Sequence, residues 1–376
     1  MSTTESDSDQ ATAKRLLSLD VYRGMVMFAL FAGGFGLAKV ANSYPDNAIM
    51  QWLKFNTTHP EWLSQFKWFG FSLWDMIQPA FMFMVGVSMP YSYGKRQQLG
   101  DSYFRRLSHA WIRALVLVLL GVLLQSMGKP QTNWLFTNVL SQIGLGYGFL
   151  FFLIGRKPTT QLIIGAVVLF VYWLMMRPWG FDNGTSLPQR FDLWFLNLFP
   201  RATEFTGRAY STLNFVPSFV TMLLGLLCGQ LLKDREVSEC VKLRRLLLGG
   251  LICLVVALAW SPLCPIVKKL WTPSWTLFSG AYVIWLLAFL YWAIDCKGWK
   301  QFWTVFFVVV GTNSIAAYFM GQLMKPFARG LFRTHLPESF WEAVGVWRPC
   351  VESILVAAFF WVVLLWMYRK RIFIRI

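Results

Sequence analysis

The chain is built from long, nearly charge-free apolar runs, and that pattern leaves few folds open to it. Windows of about twenty apolar residues mark ten candidate spans: 17–38, 72–92, 107–127, 134–155, 161–177, 214–232, 246–263, 274–294, 302–324 and 351–368. The fifth is short, and the ninth carries Gly311-Thr312-Asn313 midway, so nine or eleven spans are also readable. Apolar residues make up 56% of the chain and charged ones 14%, against about 25% charged in soluble domains. A water-soluble core cannot absorb that much apolar surface, so lipid must. The expected fold is all-α: a polytopic membrane helix bundle of about ten transmembrane helices.

Charge placement sets the expected orientation. Lys and Arg crowd the short connections at 14–15, 95–106, 156–157, 233–245, 297–300 and 369–375. Basic residues in short loops mark the cytoplasmic side, which puts both termini in the cytoplasm and the long loops 39–71, 178–213 and 325–350 outside. The net charge of +17 then reflects topology and contact with anionic membrane lipids rather than nucleic-acid binding. Residues 1–16 read as a disordered cytoplasmic tail, and 17–376 as a single membrane domain. The run after Lys14-Arg15 exceeds a signal-peptide core and reads as a retained first helix. The six cysteines show neither a disulfide framework nor zinc-ligand spacing.

No phosphate-binding loop, dinucleotide fingerprint or HExxH pair is present. Chemistry must therefore come from loops, span ends and polar groups at membrane depth, where ionisable residues are costly and usually functional. His59, one of three histidines, precedes the second span, and Asp75 opens that span. An imidazole and a carboxylate at the mouth of an apolar helix make an acid–base site, although a loop histidine is more often simply solvated. Asp20 and Arg23 are spaced to pair with each other. Asn138 and Gln142 share a helix face, Asn214 and Ser218 open the sixth span, and Thr312, Asn313 and Tyr318 interrupt the ninth. Bundle hydrogen bonding is the ordinary role for any one of these. His109 and His335 read as structural.

Several motifs occur in a familiar order. Leu19-Asp20-Val21-Tyr22-Arg23-Gly24, Trp74-Asp75-Met76-Ile77-Gln78-Pro79, Asn138-Val139-Leu140-Ser141-Gln142-Ile143-Gly144, Leu213-Asn214-Phe215-Val216-Pro217-Ser218, Lys268-Lys269-Leu270-Trp271-Thr272-Pro273-Ser274-Trp275 and Gly311-Thr312-Asn313-Ser314-Ile315 together resemble the heparan-α-glucosaminide N-acetyltransferase family. The nearest resemblance is to its bacterial branch, so an inner-membrane location is expected. The resemblance implies transfer of acetyl from cytosolic acetyl-CoA to an amino sugar or sugar hydroxyl of a carbohydrate acceptor at the exoplasmic face. It implies no metal, and a homodimer is compatible with it. Two positions depart from the family pattern. At the family's histidine spacing from Trp68-Phe69-Gly70 stands Gln65, while His59-x-x-Trp62 meets the motif after a six-residue shift; the family's first-helix Asn aligns with Gly34.

On this reading His59 is the general base, Asp75 orients it, and Asn313 or Asn214 stabilises the developing oxyanion. Lys268, Trp271 and Ser274 shape the acceptor mouth, with Asp20, Arg23 and Gln142 as further substrate contacts. Arg96, Arg106 and Arg244 meet the coenzyme phosphates. The competing class is a carrier or flippase for a sugar-containing amphiphile, which needs neither coenzyme nor imidazole.

Overall fold

A computed structural model describes residues 16–59, 69–70 and 72–374. The expected tail up to residue 15, and the loop positions Trp62, Gln65 and Trp68, lie outside the described residues. The described chain is almost wholly helical. It runs α1 (Leu17–Ala32), α2 (Leu37–Ala41), α3 (Ala48–Thr57), β1 (Phe69–Gly70), α4 (Ile77–Gln98), α5 (Tyr103–Ser126), α6 (Val139–Phe151), α7 (Pro158–Met176), α8 (Leu187–Phe195), α9 (Phe215–Lys233) and α10 (Glu239–Trp260). It continues through β2 (Ile266–Val267), α11 (Pro273–Leu290), α12 (Phe302–Thr312), α13 (Ser314–Phe319), α14 (Lys325–His335), α15 (Glu338–Val344) and α16 (Arg348–Arg369).

Every one of the ten sequence windows contains helix, but they are not equal. Among the described residues seven helices are long and apolar enough to cross a membrane, or eight if a bent pair counts as one span. α6 has only 13 residues. The bent pair is α12 and the helical stretch Ser314–His335, which meet at 80° around Asn313, whose backbone leaves the helical range (φ −121°, ψ 42°). The chain is therefore a multi-pass membrane protein.

Backbone contact at glycine holds the centre together. A Cβ on Gly225 of α9 would stand 2.0 Å from the Phe83 carbonyl oxygen of α4, and one on Gly24 of α1 would stand 1.8 Å from that of Phe307 in α12. With no hydrophobic drive between helices in lipid, such close approach supplies the dispersion contact that holds them. The outward faces of α5, α7 and α10 carry the opposite composition. Ile112, Leu115, Ile163, Val171, Leu248 and Leu251 are all exposed, as a lipid-facing belt requires.

One end of the bundle gathers the polar network. Gln78, in the first turn of α4, donates to Gln142 of α6 (3.1 Å), and Gln142 donates to the Ser211 carbonyl just before α9 (3.3 Å). Asn214 donates to the Lys269 carbonyl ahead of α11 (2.8 Å). β1 and β2 pair in parallel, Phe69 with Ile266 and Gly70 with Val267. The starts of α4, α6, α9 and α11 thus meet at one rim.

Candidate active site

The rim is organised around Asp75. Ser72 N–H donates to Asp75 Oδ2 (3.2 Å), and Ser72 Oγ donates to the Thr58 carbonyl (2.6 Å). The end of α3 is thereby fastened to the turn that opens α4, and His59 follows directly on Thr58. Its Nδ1 lies 2.5 Å from Asp75 Oδ1. The imidazole is 43% exposed while the carboxylate is 2% exposed, so a reactant can reach the ring but water scarcely reaches its partner.

A third group completes the cluster. Lys268 Nζ, 5% exposed, lies 3.1 Å from the same Asp75 oxygen and 3.3 Å from His59 Nδ1. Burial of an ion pair is tolerated where both ions keep partners, and Asp75 has three. The loop that delivers Lys268 is built for rigidity. Thr272 and Ser274 hydroxyls both donate to the Pro265 carbonyl (2.8 and 2.9 Å), and Trp271 N–H closes on the Lys268 carbonyl (2.8 Å). Trp271 takes a left-handed backbone (φ 49°), a conformation that costs a bulky residue of order 1–3 kcal/mol. Its indole is fully buried and donates to Thr221 Oγ1 (3.4 Å), which holds the strained turn in place.

Tyr210 covers the cluster, its ring 6.5 Å from the imidazole and 5.5 Å from the ammonium. Below it lies a cavity of about 120 Å³ whose walls include His59, Lys268, Gln78, Phe81, Tyr318 and Met27. His59 Nδ1 is committed to the carboxylate, which leaves Nε2 as the nitrogen able to exchange a proton. An accessible imidazole oriented by a buried carboxylate beside a small cavity has the geometry of a general base.

The structure separates the remaining sequence-derived candidates. Gln142 and Asn214 are in the rim, but their amides position Gln78 and the Lys268 loop. Trp271 and Ser274 are buried parts of that loop, not a surface that an acceptor can touch. Asn313 is a correction: its amide donates to the Ile372 carbonyl (2.9 Å) and accepts from Ile374 N–H (3.1 Å). It therefore ties the segment after α16 to the helix break and does not line the cavity. Asp20 and Arg23 pair at 3.6 Å in the first turns of α1, close to where Asp295 accepts from the Leu17 and Ser18 N–H groups. They too are absent from the cavity wall.

The basic candidates lie at the far end. Lys233, closing α9, donates to the Pro90 carbonyl late in α4 (2.8 Å), and Lys242 of α10 donates to the Leu232 carbonyl (3.1 Å). Arg96 is paired with Asp101 (3.2 Å) and touches His109 Nε2 (2.6 Å). Arg106 lies over the Tyr93 ring (4.5 Å), and Arg244 is exposed. Tyr210 and Gln78 were not singled out by sequence; Gln78 stood inside a recognised motif and Tyr318 among the polar residues of the ninth span, which were the available signals.

Asp192 of α8, in the loop that carries Tyr210, is a buried carboxylate held by Thr212 N–H (2.8 Å). Burial pushes its pKa up to about 6. A folded value above the unfolded one means that ionisation opposes folding, so stability is lost as pH rises through 6. Asp192→Asn keeps an acceptor for Thr212 and should stabilise the protein at pH 7.5 by up to about 3 kcal/mol, raising the thermal midpoint, with roughly a third of that gain at pH 4.5. Unfolding scans at the two pH values check this; equal effects at both would remove the buried charge as the cause.

No curated protein matches the chain closely. Residues 15–261 match the family described as heparan-alpha-glucosaminide N-acetyltransferase, catalytic. The matched stretch holds His59 and Asp75 and stops a few residues short of Lys268. Covering well over half of the sequence, it shows that this multi-pass membrane protein belongs to the heparan-alpha-glucosaminide N-acetyltransferase catalytic family.

Proposed function

We propose that the protein is an acetyl-CoA-dependent acyltransferase of the bacterial inner membrane that acetylates an amine or hydroxyl of a sugar-containing acceptor on the His59 side. The observation that carries this reading is the His59–Asp75–Lys268 cluster at the wall of a small cavity. His59 Nε2 takes the proton of the acceptor N–H or O–H as that atom attacks the thioester carbonyl. The C–S bond then breaks, coenzyme A leaves as its thiolate, and the imidazolium returns the proton to it. Asp75 holds the ring by Nδ1–H and balances its transient charge, while Lys268 fixes the carboxylate in place from 3.1 Å. With Asn313 occupied elsewhere, the Tyr318 hydroxyl at the cavity wall is the donor we assign to the developing oxyanion.

The basic groups Arg96, Arg106 and Arg244 suit the coenzyme's phosphates at the opposite, cytoplasmic end. α4 is 22 residues long, about 33 Å at a helical rise, so the donor is proposed to reach the cavity with its thioester through the bundle. The exposed tryptophans of the outer loops suit the C–H faces of a sugar. The purified protein, incubated with [¹⁴C]acetyl-CoA and a panel of amino sugars and neutral sugars, should transfer label with release of free thiol. Transport of unmodified sugar into proteoliposomes, with no labelled product and no thermal stabilisation by acetyl-CoA, would overturn the assignment in favour of a carrier.

A further inference from the structure

A second cavity is remote from His59. About 670 Å³ in volume, it lies between α7, α9, α10 and α11, walled by Gly165, Ala166, Phe170, Leu223, Val256 and Trp260 among others. Gln161 is its single polar wall residue. A space of this size is within the range of specific ligand sites, and close packing inside proteins makes an empty one costly. Its rim is continuous with the lipid-facing belt, since Leu162, Val167, Phe170, Ile252 and Val256 are all exposed. Hydrocarbon is the medium that meets it.

The end of the groove nearest the rim carries charge. Trp260 packs edge-on against Trp173 (5.8 Å), and the Arg177 guanidinium lies over Trp173 (5.6 Å). Arg190 lies over Trp179 (4.7 Å). Neither arginine is ion-paired to a carboxylate among the described residues, and Arg190 donates only to the Thr185 carbonyl (3.0 Å). Met176, which immediately precedes Arg177, packs with Val267 and Leu270 of the Lys268 loop, so Arg177 stands at the level of the rim, and Trp179, two residues on, brings Arg190 to the same region. Tryptophan and arginine at that level, above an apolar slot, are what a lipid phosphate with its chain in the slot would meet.

We propose that this groove binds one anionic phospholipid of the surrounding bilayer, one acyl chain lying between α7 and α10 and the phosphate held by Arg177 and Arg190. The site is independent of the acyl-transfer reading.

The test uses full-length protein in nanodiscs with a trace of phosphatidylglycerol carrying a diazirine on one acyl chain. After photolysis, adducts should concentrate on residues 162–170 and 252–260. Arg177→Gln/Arg190→Gln should lower that labelling about tenfold or more, while a phosphatidylcholine probe labels both proteins weakly and equally. Ala166→Trp, at an exposed rim position, should block labelling by filling the slot. Adducts spread evenly over α5, α10 and α16, or equal labelling by the two headgroups, would overturn the proposal. So would an unlabelled groove in a dimer that Ala166→Trp dissociates, which would seat a second copy there. So would displacement of the probe by a lipid-linked sugar but not by unlabelled phosphatidylglycerol.

Discussion

His59→Ala is expected to reduce acetyl transfer by about 10²–10⁴-fold, the usual contribution of a positioned base, while the affinity for acetyl-CoA changes little. The argument rests on separation. His59 sits on the rim with Nδ1 on Asp75, whereas the bases assigned to the coenzyme phosphates lie at the other end of α4, so the two functions are divisible by mutation. Single-turnover rates and a coenzyme titration on the same preparation measure both. His59→Gln, which keeps bulk and a hydrogen bond to Asp75, should be nearly as slow, because no uncharged amide accepts a proton at neutral pH. Full activity in either variant removes His59 from the mechanism, and loss of coenzyme binding alongside activity would point to a structural role instead.

The second large effect concerns Lys268. Lys268→Met should destabilise the protein by about 3–5 kcal/mol, because it strands the Asp75 carboxylate, 2% exposed, with one partner fewer in a site that water scarcely enters. Adding Asp75→Asn should restore much of that stability, since the charge that needed the ammonium is then gone. Activity should not return, because the imidazole has lost the anion that orients it and balances its protonated form. Thermal unfolding of the two single variants and the double variant gives the coupling directly. Additive destabilisation would mean that the 3.1 Å contact contributes little and that Lys268 acts elsewhere.

Much of this was legible from sequence, and the limits have physical causes. Apolar windows locate helices reliably because lipid permits little else, and each of the ten contains one. They say less about helix length and continuity: α6 is apolar but short, and the ninth window breaks at Asn313. Asp75 and His59 stand 16 residues apart, close enough for sequence to suggest a pair. Lys268 reaches them from a loop far along the chain, which motif order brought into view as part of an acceptor mouth without revealing its partner. Asn313 misled for a specific reason. A polar residue in mid-span signals an unmet backbone or a cavity with equal force, and here its amide serves the backbone of the segment after α16. Likewise nothing in the short-loop pattern shows that Arg96 also meets Asp101 and His109.

The parallel pairing of β1 with β2 has a consequence for biogenesis. His59 and Lys268 are 209 positions apart, so a nascent chain emerging from the ribosome holds the first long before the second is made. Until the strand ahead of α11 arrives and pairs with its counterpart, Asp75 lacks its ammonium. If the cluster acts as proposed, chains terminated before this strand should be inactive.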